Sequence, residues 1–243
     1  MQPALTVSSL TVSSLTVSYF SDVLCVWAYV TQIKLDELRR QFGGQVCVEY
    51  RFLHLFGDVA ARIETDWGHK GGAAAYSRHV QQMSKRFDHI DIHPEIWMRN
   101  MPPTSVSCHL FLKAIQLLEK HGEVSAAPED RFDGKSVFEE AVWRCRIGFF
   151  RDLQDIADRS IQEAIAAELS LPLAGIRRHI DSGAAHAALC ADFDAKDRQL
   201  VEGSPTFVFN EGRQKLYGNV GYRIIEASIH ELLATPGDRA SWC

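Results

Sequence analysis

The chain has 243 residues, 46% of them hydrophobic, and a formal net charge of −5, enough to bury a large core as one domain with an insertion or as two coupled domains. No basic field or Lys/Arg run interleaved with aromatics is present, so a nucleic-acid partner is not expected. No uninterrupted apolar run is long enough for a membrane span, and the N-terminus lacks the positively charged start of a secretion signal.

Residues 5–19 read LTVSS, LTVSS, LTVSY, a near-repeat of which only the last copy is needed as a strand, from Leu15 to Phe20. Residues 1–14 are therefore read as a repetitive N-terminal extension without chemistry. Beyond Cys25, apolar residues at Val26, Val30, Ile33 and Leu38 recur at helical spacing, and Phe42-Gly43-Gly44 supplies the stop. Val46, Val48, Tyr50 and Phe52 then alternate with more polar neighbours, which predicts a strand and an opening β-α-β unit.

From 61 to 197 the pattern turns helical, with faces through Tyr76, Val80, Met83 and Phe87, through Val106, Leu110, Ala114 and Leu117, and through Val137, Ala141, Cys145 and Phe149. The block is too long for a structureless loop and is read as an inserted helical lid. Strand character returns in TFVFN, a turn follows at Asn210-Glu211-Gly212, QKLYGN pairs back, and a last helix runs from about Gly221 to Ala234. The order β-α-β, helical insertion, β-β-α is that of an α/β thioredoxin fold with a large inserted α-helical domain. Its thioredoxin-like part would comprise 15–60 and 198–236, with the lid spanning 61–197.

Two local features carry chemistry. Cys25 stands where strand passes into helix, where free backbone N–H groups and the helix dipole favour a thiolate, so its pKa is expected to be lowered. The alternative is that Cys25 is simply a small buried hydrophobe. Gly203-Ser204-Pro205-Thr206 places a proline at the mouth of an apolar strand; a cis Ser204–Pro205 bond would turn a backbone edge toward the thiol and let it hold a peptide-like ligand, whereas an ordinary trans proline at a strand entry is the plain alternative. The six cysteines include no C-x-x-C pair, and no histidine pair shares a helix face with a third ligand, so neither a zinc site nor any other metal is expected. Histidines 69, 79, 89, 93 and 109 are read as surface or cap residues, and Trp27 as a packing residue at the mouth of the site.

Residues 17–42 around Cys25, the long helical insertion and G-S-P-T before an apolar strand together resemble the DsbA-like branch of the thioredoxin superfamily. Within it the chain is most similar to the FrnE-like and 2-hydroxychromene-2-carboxylate isomerase, or kappa glutathione transferase-like, members over about residues 15–234. Where FrnE-like oxidoreductases carry Cys-Pro-Trp-Cys this chain has Cys25-Val26-Trp27-Ala28, and the isomerase branch carries serine at the position of Cys25. The departure from both patterns leaves Cys25 as the single nucleophile, beside Trp27, Ala28, Ser204 and Pro205; Asn100, before the Pro-Pro turn, could place an amide toward the cleft, and Asn219 follows the last strand, where the resemblance to kappa-like members implies a contact with the carboxylate end of glutathione.

With Ala28 in place of a second cysteine, a mixed disulfide on Cys25 needs an external thiol for release. That predicts a thiol-disulfide oxidoreductase with glutathione as a loosely bound co-substrate, acting on small thiols or disulfides in the cytoplasm. Cys108, which takes the position of a family histidine, is the one internal candidate for a second thiol. The alternatives are a glutathione-dependent isomerase or transferase acting on a small aromatic or unsaturated substrate, and a non-catalytic peptide-binding module. A homodimer through an apolar face of the insertion is left open.

Overall fold

The computed structural model describes residues 15–236, so the 1–14 extension lies outside the described residues. Four strands form one sheet in the order β2-β1-β3-β4. Central β1 (Leu15–Ser21) pairs in parallel with β2 (Val46–Phe52), Leu15 opposite Val46 and Ser21 opposite Phe52. On its other side β1 runs antiparallel to β3 (Thr206–Phe209), which in turn pairs with β4 (Gln214–Tyr217). β1 is flanked on both edges, and Val17, Tyr19 and Phe20 within it are fully buried.

α1 (Val26–Phe42) crosses from β1 to β2 and stops where Gly43, at φ 22°, donates its N–H to the Arg39 carbonyl. Its buried face runs through Val26, Tyr29, Val30, Leu35, Leu38 and Phe42. Ile33, placed on that face by spacing, points outward and is half exposed, because the inner stripe passes through Tyr29 instead.

Between β2 and β3 lie α2 (Val59–Trp67), α3 (Gly72–Ser84), α4 (Val106–Lys120), α5 (Val137–Phe150), α6 (Arg159–Glu168), α7 (Leu173–Asp181) and α8 (Ala184–Arg198). α3 ends before Phe87, which sits in the turn beyond and meets Trp27 edge-on at 6.2 Å. α5 begins with a reciprocal capping box between Ser136 and Glu139. The helices share the core of the sheet: Tyr29 of α1 stacks on Phe150 of α5 at 4.9 Å, and Tyr50 of β2 meets Phe138 at 5.4 Å. α9 (Tyr222–Ala234) closes the fold by burying Ile225, Ile229 and Leu232. No described helix is long and apolar enough to cross a membrane.

Candidate functional site

The loop Asp22-Val23-Leu24 joins β1 to α1 and is wholly buried. Asp22 anchors it: Oδ1 accepts the Leu24 N–H at 2.9 Å, while Oδ2 accepts the Phe56 N–H at 2.9 Å and the Ser105 hydroxyl at 2.7 Å. Its own N–H donates to Ser204 Oγ at 3.0 Å, tying the loop to the segment before β3. Burial raises the Asp22 carboxyl to about 6, against the pull of its hydrogen-bond donors. Behind it His109 is fully buried and stacked on Phe52 at 4.8 Å, its Nε2 accepting the Val23 N–H at 3.1 Å. Burial drives His109 down to about 3, so it is a neutral core residue and not the surface or cap residue that its polarity suggests.

Cys25 is the N-cap of α1 and is 4% exposed. Its sulfur donates to the Ser204 carbonyl at 3.3 Å. Ser204–Pro205 is cis, and the Pro205 carbonyl is taken by the Gly218 N–H at 2.8 Å. The thiol lines a cleft of roughly 360 Å³ together with Trp27, Phe56, Arg62, Trp67, Tyr76 and Ser204, with Tyr217 and Glu202 at its edge. Arg62 lies over the Phe56 ring, 5.1 Å from its centre.

The expected lowering of the Cys25 pKa is corrected by this geometry. Burial pushes the thiol up and the Asp22 carboxylate adds to it; the hydrogen bond with Ser204 and the N–H groups of Trp27 and Ala28 pull it back only in part. At rest the group is a thiol.

Of the residues expected at the site, Cys25, Trp27 and Ser204 line the cleft. Pro205 is buried and Ala28 is fully buried within α1, and neither lines the cleft. Asn100 belongs elsewhere: its amide donates to the Leu153 carbonyl at 2.8 Å, beside a different pocket with His93, Arg99 and Asp155. Asn219 is also away from the lining, its side-chain oxygen accepting from Lys34, which holds the Val220 carbonyl at 2.7 Å as well. Cys108 is fully buried on α4 and its thiol neighbour is Cys145 of α5; burial and then that neighbour push its pKa well up. It does not line the Cys25 cleft. Missed from sequence were Asp22, Ser105 and His109, together with the aromatic wall of Phe56, Trp67, Tyr76 and Tyr217. The one available signal was a carboxylate set three residues before the cysteine in an otherwise apolar loop.

A family model described as DSBA-like thioredoxin domain matches residues 16–230. No curated protein matches the chain at a significant level. Among solved structures, a candidate protein disulfide isomerase from Nitrosomonas europaea superposes with a TM-score of 0.72 at 12% identity, covering 93% of this chain and 100% of that one. The cytosolic disulfide reductase DsbM from Pseudomonas aeruginosa, also solved with GSH, gives 0.62 at 17% identity, covering 89% of this chain and, in its GSH-free form, 99% of that one. A 2-hydroxychromene-2-carboxylate isomerase gives 0.60 at 15% identity, covering 93% of this chain and 100% of that one.

Proposed function

The chain belongs to the DSBA-like thioredoxin domain family, and from that premise we propose that it catalyses glutathione-linked thiol–disulfide exchange through Cys25 alone. The observation that carries this reading is the Cys25 sulfur, 3.3 Å from the Ser204 carbonyl, facing a cleft in which no other lining residue bears a thiol. Ala28, where a resolving thiol would stand, is fully buried alanine.

A peptide-like ligand whose N–H takes the Ser204 carbonyl displaces the thiol from that acceptor. The freed sulfur then loses its proton, and the N–H groups of Trp27 and Ala28 at the start of α1 stabilise the thiolate. Attack on a glutathione mixed disulfide forms a Cys25–glutathione S–S bond, breaks the substrate S–S bond and expels the substrate as a thiolate, which takes up a proton. A second glutathione thiolate attacks the adduct, releasing glutathione disulfide and restoring Cys25. The reading places the protein in a reducing, cytoplasmic setting; the likeness to a cytosolic reductase solved with GSH and the free state of Cys25, Cys47, Cys108, Cys145 and Cys190 support it.

One feature favours a second reading, a glutathione-dependent isomerase or transferase on a small aromatic substrate: the resting thiol is a hydrogen-bond donor facing an aromatic wall. There Cys25 would steady the glutathione sulfur without becoming covalently linked. One experiment separates the two. Glutathione-dependent reduction of a peptide–glutathione mixed disulfide is measured for the wild type and Cys25→Ser, with mass spectrometry of Cys25. Exchange requires a glutathione adduct on Cys25 and loss of turnover in Cys25→Ser. Full turnover in Cys25→Ser without an adduct rejects it and leaves the isomerase reading.

A further inference from the structure

We propose that His121, Glu123 and His179 form a surface site for a first-row divalent cation of the zinc, cobalt and nickel class, remote from the Cys25 cleft and independent of its chemistry. Among the described residues this is the one group of three or more histidine, cysteine or carboxylate side chains whose ligand atoms converge, all within 4.8 Å of one another. No histidine pair on a single helix announces it, which is why the sequence gives no expectation of a metal; the donors come from the ends of two helices.

His121 caps the C-terminus of α4. Gly122, at φ +71°, turns the chain back so that the Glu123 N–H reaches the Leu118 carbonyl at 2.9 Å. α7 packs against that end so closely that a Cβ on Gly175 would stand 2.8 Å from Leu118 Cδ2. This approach brings His179, in the last turn of α7, alongside: its ring centre lies 5.3 Å from that of His121 and its Nε2 3.8 Å from Glu123 Oε1.

His179 is the anchored donor, its side chain 8% exposed, while His121 and Glu123 are exposed and free to adjust. Metal–ligand bonds of about 2.0–2.2 Å need donors about 3.3 Å apart, so closure asks only for a movement of about 1 Å by the two exposed side chains. Two helix C-termini meet here, and their outward carbonyls favour a cation. Two imidazoles and one carboxylate select the zinc class over calcium or magnesium.

A cationic group already occupies the position. Arg178 Nη2 donates to both Glu123 oxygens at 2.6 and 2.7 Å and lies 3.5 Å from His179 Nε2. Its side chain is 55% exposed and can swing into solvent. Metal and guanidinium therefore compete for the same carboxylate. That gives the proposal a signature that a merely structural ion pair lacks: removing Arg178 strengthens metal binding.

The test is a Co²⁺ titration of the full chain carrying no added histidines, followed by visible absorption, Zn²⁺ displacement and thermal unfolding. One saturable site is expected, without thiolate-to-cobalt charge transfer. His121→Ala, an exposed position that leaves the core intact, should weaken binding at least about tenfold and remove the metal-dependent rise in unfolding temperature. Arg178→Ala should bind Co²⁺ more tightly than the wild type. The proposal is overturned by an absence of saturable binding, by affinity unchanged in His121→Ala, by charge transfer that assigns the ion to cysteine, or by Arg178→Ala binding no more tightly.

Discussion

Replacing Asp22 by asparagine is expected to turn a shallow pH–stability profile into a steep one. Asp22 and His109 are both fully buried, 3.7 Å apart, and their ionisations oppose each other. Burial raises Asp22 from 3.8 to about 6, so in that interval the folded chain holds a proton that the unfolded chain has released; this contribution is complete below 3.8 and lost as pH rises through about 6. Burial lowers His109 from 6.5 to about 3, so the unfolded chain binds the extra proton; this contribution is complete above 6.5 and lost as pH falls toward about 3. At about 1.4 kcal/mol per pH unit, going from pH 7 to 5 costs about 2 kcal/mol through His109 and returns about 1.4 kcal/mol through Asp22. The two together cost less than about 1 kcal/mol.

Asp22→Asn removes the returning part, so the variant should lose about 2 kcal/mol between those pH values, while His109→Asn should gain about 1.4 kcal/mol. At pH 7 the asparagine variant should be close to wild type. The N–H left facing an amide NH₂ costs about 1–3 kcal/mol, and relief of the buried charge offsets about 3 kcal/mol. Urea unfolding at pH 7 and 5, read as midpoint at constant m, measures both; differences between variant and wild type cancel the other titrating groups. An Asp22→Asn variant with the wild-type pH dependence would refute the assignment of these two groups as opposing buried titrants.

Lys113 and Asp192 form a buried pair at 2.6 Å, and Asp192 also accepts the Phe52 N–H at 2.9 Å, joining α4, α8 and β2; Lys113→Met leaves that carboxylate without its closest cation and should cost about 3–5 kcal/mol in urea unfolding. Ser136→Ala breaks the capping box of α5 and should cost about 1 kcal/mol, read as a lowered unfolding temperature with the cleft unchanged. A Cβ on Gly203 would meet the Tyr217 ring at 2.5 Å, and that ring is 65% exposed; Gly203→Ala should therefore displace Tyr217 from the cleft at little cost in stability, changing KM more than the unfolding temperature.

The strands and most long helices were legible because their apolar periods are strong: β2 spans Val46–Phe52 as the alternation requires, and α5 begins at Val137 and buries Val137, Ala141, Cys145 and Phe149. α4 begins at Val106 as expected, but its face is rotated from the one read by spacing: it buries Cys108, Phe111, Leu112, Ile115 and Leu118 and leaves Val106, Leu110 and Leu117 half-buried, because apolar residues occur on both stripes of this helix. The approach of Ser204 to Cys25 was open from sequence, since the proline before an apolar strand allowed either a cis bond facing the thiol or an ordinary trans entry; the structure has the cis bond, with the Cys25 sulfur 3.3 Å from the Ser204 carbonyl. Asn100 and Asn219 were misplaced because each satisfies a local partner, Leu153 and Lys34, that no spacing rule reveals. Asp22 escaped notice because its burial is imposed from outside its own segment, by Phe56 and by Ser105 at the start of α4.

The ionisation of Cys25 shows why a motif alone misleads about chemistry. A helix N-terminus favours an anion by about 0.3–1 kcal/mol, and by about 2 kcal/mol in favourable partly buried geometries. Complete burial can move a pKa by about 3–5 pH units, several times that energy. Sequence displays the first effect, since it is tied to one position in the chain, and conceals the second, which depends on how residues far apart in the chain pack around Cys25 in the core. At 4% exposure the second effect wins and the thiol stays protonated, donating to Ser204. Under the proposed exchange, nucleophilicity at this site would follow occupancy of the groove, because the same carbonyl that holds the resting thiol is the one a ligand N–H would take.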